Sequence, residues 1–140
     1  MTATSSLPHS RDHNAEARIQ AAIVDWARTV APDLIVFHSP NGGLRSKSEA
    51  ARLKRIGTLA GVPDLVILGR DGQCWLLEVK APGGYLSDEQ RAIRDRCTAM
   101  RIPFAVVRSI DDARRAFEVW KIETRETAVQ PCVVPQSGSK

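Results

Sequence analysis

Cysteine is scarce. The 140 residues hold three, Cys74, Cys97 and Cys132, an odd number with no CxxC pair. A disulfide framework and a cysteine-ligated zinc site are both disfavoured, and a reducing compartment is the simplest home. No apolar run approaches the ~20 residues that a membrane-spanning helix requires. The first residues, MTATSSLPHSRDHN, lack the apolar stretch of a secretory signal. The protein is therefore expected to stay in the cytoplasm, with no membrane partner. There is no internal repeat.

What is present describes one soluble domain. Hydrophobic residues make up 43% and charged residues 26%. A chain of this length is expected to bury about two-thirds of its unfolded surface. The formal charge is +4 with a pI near 9.3. Such mild basicity fits a nucleic-acid partner without requiring one.

Residues 1–13 read as a mobile polar tail; His9 and His13 stand four apart, but a metal site there needs further ligands. From Asn14, a candidate cap, Ile19, Ile23, Trp26 and Val30 recur at helical spacing until Pro32. Leu34 to His38 is a short apolar strand, and Pro40 with Asn41-Gly42-Gly43 marks a loop. Ser46 and Glu49 have capping-box spacing for a helix ending near Ile56, where Gly57 suits a left-handed terminus. DLVIL (Asp64 to Leu68) and CWLLEV (Cys74 to Val79) are apolar strands joined by GRDGQ, whose Asp71-Gly72 is a hairpin signal. Ser87 and Gln90 repeat the capping-box spacing for a helix to about Met100. FAVVR (Phe104 to Arg108) is another strand, and Ser109 opens a helix carrying Ala113, Ala116, Phe117 and Trp120. Residues 124–140 read as a loose tail, leaving 14–123 as the domain. The order α-β-α-β-β-α-β-α predicts an α/β fold with one mixed four-stranded sheet flanked by helices.

The end of the second hairpin strand is chemically unusual. Glu78 and Lys80 are two apart, so they share one face of an otherwise apolar strand. Ionised groups in a sheet interior cost several kcal/mol unless paired or bound to metal. In an antiparallel hairpin the start of one strand lies beside the end of the next, so Asp64 should meet that pair. Paired carboxylates without cysteine or histidine favour a hard divalent cation, Mg²⁺ or Mn²⁺, with the Val79 carbonyl as a further oxygen donor. Such a site suits metal-assisted hydrolysis of a phosphodiester, with Lys80 positioning or helping to deprotonate the water, or stabilising charge on the phosphate.

Pro63-Asp64 followed by Glu78-Val79-Lys80 looks like the PD-(D/E)xK nuclease superfamily. The longer ordered set NGG, RLKRIGTLAGVPDLVIL, LLEVKAPGGYLSDEQ and VVRS resembles its VRR-NUC branch, over roughly Glu16 to Phe117. The resemblance implies a restriction-endonuclease-like core and a metal-dependent DNA endonuclease. Stand-alone members are similar to Holliday-junction resolvases and act as homodimers. By the family's motif, Asp64 and Glu78 hold the metal, Lys80 is catalytic, and Glu16 and Gln90 complete the site. It also implies a bacterial or phage-infected cell and no small-molecule organic cofactor.

Each of these residues also has a plainer account. Asp64 is a good turn residue after Pro63, and Glu78 with Lys80 would make a strand-end ion pair. Glu16 suits a first helical turn, yet shares a face with Ile19 and Ile23, as a ligand acting through water would. Gln90 can simply complete its capping box. Asn41, Gly42, Arg45 and Lys47 in one loop, and Gly83, Gly84 and Tyr85 in another, are candidates for DNA contact, or ordinary turns. Arg52, Lys54 and Arg55 read first as a solvated helix face and second as a DNA contact. His38 reads as structural.

Overall fold

The chain, seen in a computed structural model that describes residues 9–40 and 46–128, alternates helices and strands in the predicted order. The elements are α1 (His9–Val30), β1 (Ile35–His38), α2 (Lys47–Arg55), β2 (Leu65–Leu68), β3 (Cys74–Val79), α3 (Asp88–Ala99), β4 (Phe104–Val107) and α4 (Ile110–Val119). The four strands form one mixed sheet in the order β1-β2-β3-β4. β1 and β3 run antiparallel to β2, while β4 runs parallel to β3 with α3 as the crossover.

Burial alternates along β2 and β3 with the period of two that a strand imposes. Leu65, Ile67, Trp75, Leu77 and Val79 belong to the core with Val36 and Val107. Against them pack Ile23, Ala27 and Val30 of α1 and Ala113, Ala116 and Phe117 of α4. Fully burying a side chain such as Ile23 or Phe117 contributes about 1.5–3 kcal/mol. The opposite parity, Val66, Leu76 and Glu78, lies on the other face, where Val66 and Leu76 line a groove with Ile93 and Cys97 of α3. No residue of α2 is buried.

Both predicted capping serines hold. Ser46 accepts from the Glu49 N–H, and Ser87 with Gln90 forms a reciprocal capping box. Ser109 likewise accepts from the Asp112 N–H. Asp71 and Gly72 have φ of 57° and 73°, the paired left-handed residues expected of that turn, here within a short 3-10 turn.

Two expectations need correction. The first helix begins at His9, so residues 9–13 are helical and Asn14 lies inside the helix without capping it. Nothing between Pro8 and Pro32 interrupts a helix, since that stretch has no glycine or proline. Residues 124–128 are packed onto the body of the fold. Thr124 is buried and the Arg125 N–H donates to the Val30 carbonyl at 2.7 Å. Glu126 accepts from Trp26 Nε1 at 3.1 Å and from Arg114 Nε at 2.8 Å, while the Arg114 guanidinium lies 5.6 Å from the Trp26 ring centroid. Trp26 and Arg114 both carry donors, and Glu126 is the acceptor that satisfies them.

Candidate active site

The antiparallel pairing of β2 with β3 brings Leu65 opposite Leu77, which sets Asp64 beside Glu78 at one end of the sheet. Asp64 Oδ2 accepts the Val79 N–H at 2.8 Å. Its turn role and its place in the site are thus the same contact. Gly61, three residues earlier, lets the chain arrive there. It has φ of +81°, and a Cβ at that position would lie 2.5 Å from the Glu89 backbone of α3. No other residue fits that close approach.

Glu78 is 1% exposed, although it is a carboxylate. Its Oε1 lies 3.1 Å from Lys80 Nζ and accepts from Gln90 Nε2 at 2.5 Å. Its Oε2 is buried and has no hydrogen-bond partner among the described residues. Gln90 serves both of its readings at once, because its Oε1 accepts the Ser87 N–H at 2.9 Å while its Nε2 holds Glu78. Glu16, half-buried on α1, accepts the Ala81 N–H at 3.3 Å, just beyond Lys80.

Crowding and burial disturb the protonation of Glu78 and Asp64. Burial, with help from the Asp64 and Glu16 charges, pushes Glu78 up to about 7, against the pull of Lys80. Burial also raises Asp64, offset by the Val79 N–H and the Lys80 charge. A cation between these carboxylates would reverse both shifts. The buried, unpartnered Glu78 Oε2 and the all-oxygen donor set fit a hard divalent ion. Among the described residues no group of three or more His, Cys, Asp or Glu side chains is arranged to hold a metal. A cation held there would have the two carboxylates as side-chain donors, with main-chain carbonyl and water oxygens to complete its shell.

Two residues join the site that the sequence did not single out for it. His38 Nδ1 lies 2.9 Å from the Asp64 carbonyl oxygen and 3.0 Å from Gln20 Nε2. With His13, Glu16, Gln20 and Asp64 it lines a cleft of about 450 Å³. The signal available in sequence was its place at the end of β1, antiparallel to the strand that Asp64 opens. Arg108 donates to the Gly84 carbonyl at 2.7 Å and so ties down the loop after Lys80. Only the parallel register of β3 and β4 reveals that contact, because it sets Val107 beside Val79.

Of the predicted DNA-contact residues, Gly83 takes a φ of +80°, and Tyr85 is 86% exposed on the same loop. Lys47 opens α2 in an exposed position. Asn41, Gly42 and Arg45 lie outside the described residues.

Comparison with known proteins places this geometry in a family. The model of the VRR-NUC domain matches residues 3–111. A solved structure titled "VRR_NUC domain protein" superposes with a TM-score of 0.58 at 22% identity, covering 74% of this chain and 84% of its own. Another, titled "VRR_NUC domain", gives 0.51 at 19% identity, covering 77% and 96%. No curated protein matches. The two structures share the fold, and the family match spans most of the chain including Asp64, Glu78, Lys80 and Gln90: this chain belongs to the VRR-NUC domain family, a family of nuclease domains.

Proposed function

We propose that this chain is a metal-dependent, structure-specific DNA endonuclease that hydrolyses phosphodiester bonds, with branched DNA such as Holliday junctions as substrate. The observation that carries the proposal is Glu78, a buried carboxylate with one oxygen held by Lys80 and Gln90 and the other without a partner, beside Asp64. Leaving an anionic oxygen unsatisfied in this way costs several kcal/mol and serves no purpose in stability.

Asp64, Glu78 and the Val79 carbonyl would hold Mg²⁺ or Mn²⁺, with Glu16 acting through water. When bound, the cation supplies charge that polarises a phosphoryl oxygen and lowers the pKa of water. Lys80, fixed by Glu78, presents its ammonium to the attacked phosphate, where negative charge grows. Gln90 keeps Glu78 oriented from the N-terminus of α3. In the reaction the water oxygen bonds to phosphorus and loses its proton to solvent, the bond to the leaving sugar oxygen breaks, and that oxygen takes a proton. Gly83, Gly84 and Tyr85 after Lys80, and Asn41, Gly42 and Arg45 with Lys47 at the start of α2, would provide backbone approach, charge and one stacking surface. Symmetric cleavage of a junction needs two such sites, which a C₂ homodimer provides.

Labelled four-way junctions, flaps, nicked and linear duplexes and single strands, each with Mg²⁺, Mn²⁺ or EDTA, test this directly. The expected result is metal-dependent cleavage, strongest on the junction and absent in Lys80→Ala, whose DNA binding survives. Preference for flaps or nicks moves the substrate assignment. Binding without cleavage at any metal concentration makes the chain a non-catalytic DNA-binding protein on this fold.

A further inference from the structure

Among the described residues, little beyond the half-buried Leu53 holds helix α2 where it stands. It has nine residues and buries none of them. It packs to no substantial extent on any strand or other helix. Isolated helices of this length are marginal in water. The Ser46 cap supports one end, and Glu49 early with Arg52, Lys54 and Arg55 late suits the helix dipole, yet four cations including Lys47 stand against a single acid. Among the described residues none of these four cations forms a salt bridge. Arg52 and Arg55 stand three apart on the helix, the spacing at which like charges repel.

Between α2 and α3 runs a groove of about 770 Å³. Leu53, Leu59 and Ile93 contribute its apolar lining, Lys54 and Arg96 its positive charge, and Glu89 its lone carboxylate. No aromatic residue lines it, so it offers no platform on which unpaired bases would stack. The helix also starts close to the chemistry. The Ser39 N–H donates to the Asp64 carbonyl at 2.9 Å, and Ser46 caps α2 seven residues later, at most about 25 Å of extended chain away.

We propose that α2 is a phosphate clamp: Lys54 with Arg96 across the groove, and the exposed Arg52 and Arg55 on the rest of the helix surface, grip the backbone of a double-stranded DNA arm that leaves the active site. The polyanion supplies the counter-charge that the helix lacks, and the absence of aromatic residues favours duplex over single strand. This deepens the nuclease proposal, on which it rests for the position of the scissile phosphate. Sequence-independent grip of this kind positions a substrate and adds to affinity without reading bases.

The test is binding in EDTA, where no cleavage occurs, monitored by fluorescence anisotropy of a labelled 20-base-pair duplex across salt concentrations. Substituting Arg52→Gln, Lys54→Gln and Arg55→Gln together keeps good helix formers in place. The expected result is at least about tenfold weaker binding and a salt slope shallower by about 2–3, near 0.9 for each phosphate that is no longer neutralised. Circular dichroism and melting should stay close to wild type, since the three positions are exposed and glutamine is a good helix former. The charge-preserving triple Arg52→Lys, Lys54→Arg, Arg55→Lys should bind as wild type does. Arg70→Gln, at the β2–β3 turn, should leave the slope nearly unchanged. An unaltered slope in the neutral triple variant overturns the clamp. So does a loss confined to single strands, or a change in light-scattering mass with duplex binding intact. Should the wild-type chain cut nothing yet show the slope change, the nuclease proposal falls while the clamp stands.

Discussion

Gln90 donates from Nε2 to Glu78 Oε1 at 2.5 Å and accepts at its own Oε1 from the Ser87 N–H at 2.9 Å. One side chain therefore links the first turn of α3 to the buried carboxylate at the end of β3. Helix capping and site geometry share an atom chain, and substitutions at its two ends should separate them.

Ser87→Ala removes the hydroxyl that accepts the Gln90 N–H. It should cost about 1 kcal/mol of stability, the usual loss for an N-cap serine, and leave cleavage unchanged well below the melting temperature. Gln90→Ala should cost a similar amount and also lower metal-dependent cleavage, because Glu78 loses its donor. Melting curves and single-turnover rates of the two variants distinguish the roles; equal activity in both would assign Gln90 to capping alone.

The pH dependence follows from Glu78. Its folded-state pKa is raised from the ordinary 4.5 to about 7 by burial, then by the charge of Asp64. Between those values the folded chain holds a proton that the unfolded chain has released. Its contribution to stability is therefore present at low pH and is lost as pH rises through about 7. Asp64, also raised, acts in the same direction. Metal-free protein should melt at lower temperature at pH 7.5 than at pH 5.5, and Glu78→Gln should flatten that difference.

Adding Mg²⁺ or Mn²⁺ at pH 7.5 should raise the melting temperature of the wild type. Ligand that binds only the folded state stabilises it by mass action, by about 2.7 kcal/mol at a hundredfold excess over Kd. Glu78→Gln should show little or no rise. An equal rise in both proteins would place the cation elsewhere.

Gly61→Ala should be severe for so small a change. The new Cβ would meet the Glu89 backbone at 2.5 Å, at a φ of +81°. Backbone strain of that kind costs about 1–3 kcal/mol. The segment leading to Asp64 must shift, so cleavage should fall along with stability. Thermal melts and rates on the same preparation check both.

Removing residues 124–140 should lower the melting temperature, although Thr124, Arg125 and Glu126 hold the far side of α1 and α4 and have no part in the site. Thr124 would leave a buried position, the Val30 carbonyl would lose the Arg125 N–H, and Trp26 and Arg114 would lose Glu126. Cleavage at low temperature should persist. Glu126→Gln, which keeps the packing and removes the charge, should fall between wild type and truncation.

Much of the site was legible because strands obey a strict rule. Alternation places Glu78 and Lys80 on one face, and a tight turn around Asp71-Gly72 forces Asp64 alongside them. Helix starts were legible where a serine stood three residues before Glu49, Gln90 or Asp112. Less legible were features made by long-range packing. The helical state of residues 9–13 was not read from their polar sequence, and Glu126 gains its meaning from Trp26, a hundred residues away.

Local chemistry, then, was set by the sequence alone: which side chains alternate, which serines cap, and which carboxylates and lysine stand near a strand end. Only the tertiary structure decided that Glu78 is buried with one oxygen unpartnered, that Gln90 reaches it from another helix, and that α2 lies exposed with its charges unpaired among the described residues. Spacing determines direction along one element. Burial and pairing depend on what other elements arrive, and so on distances that the linear chain does not contain.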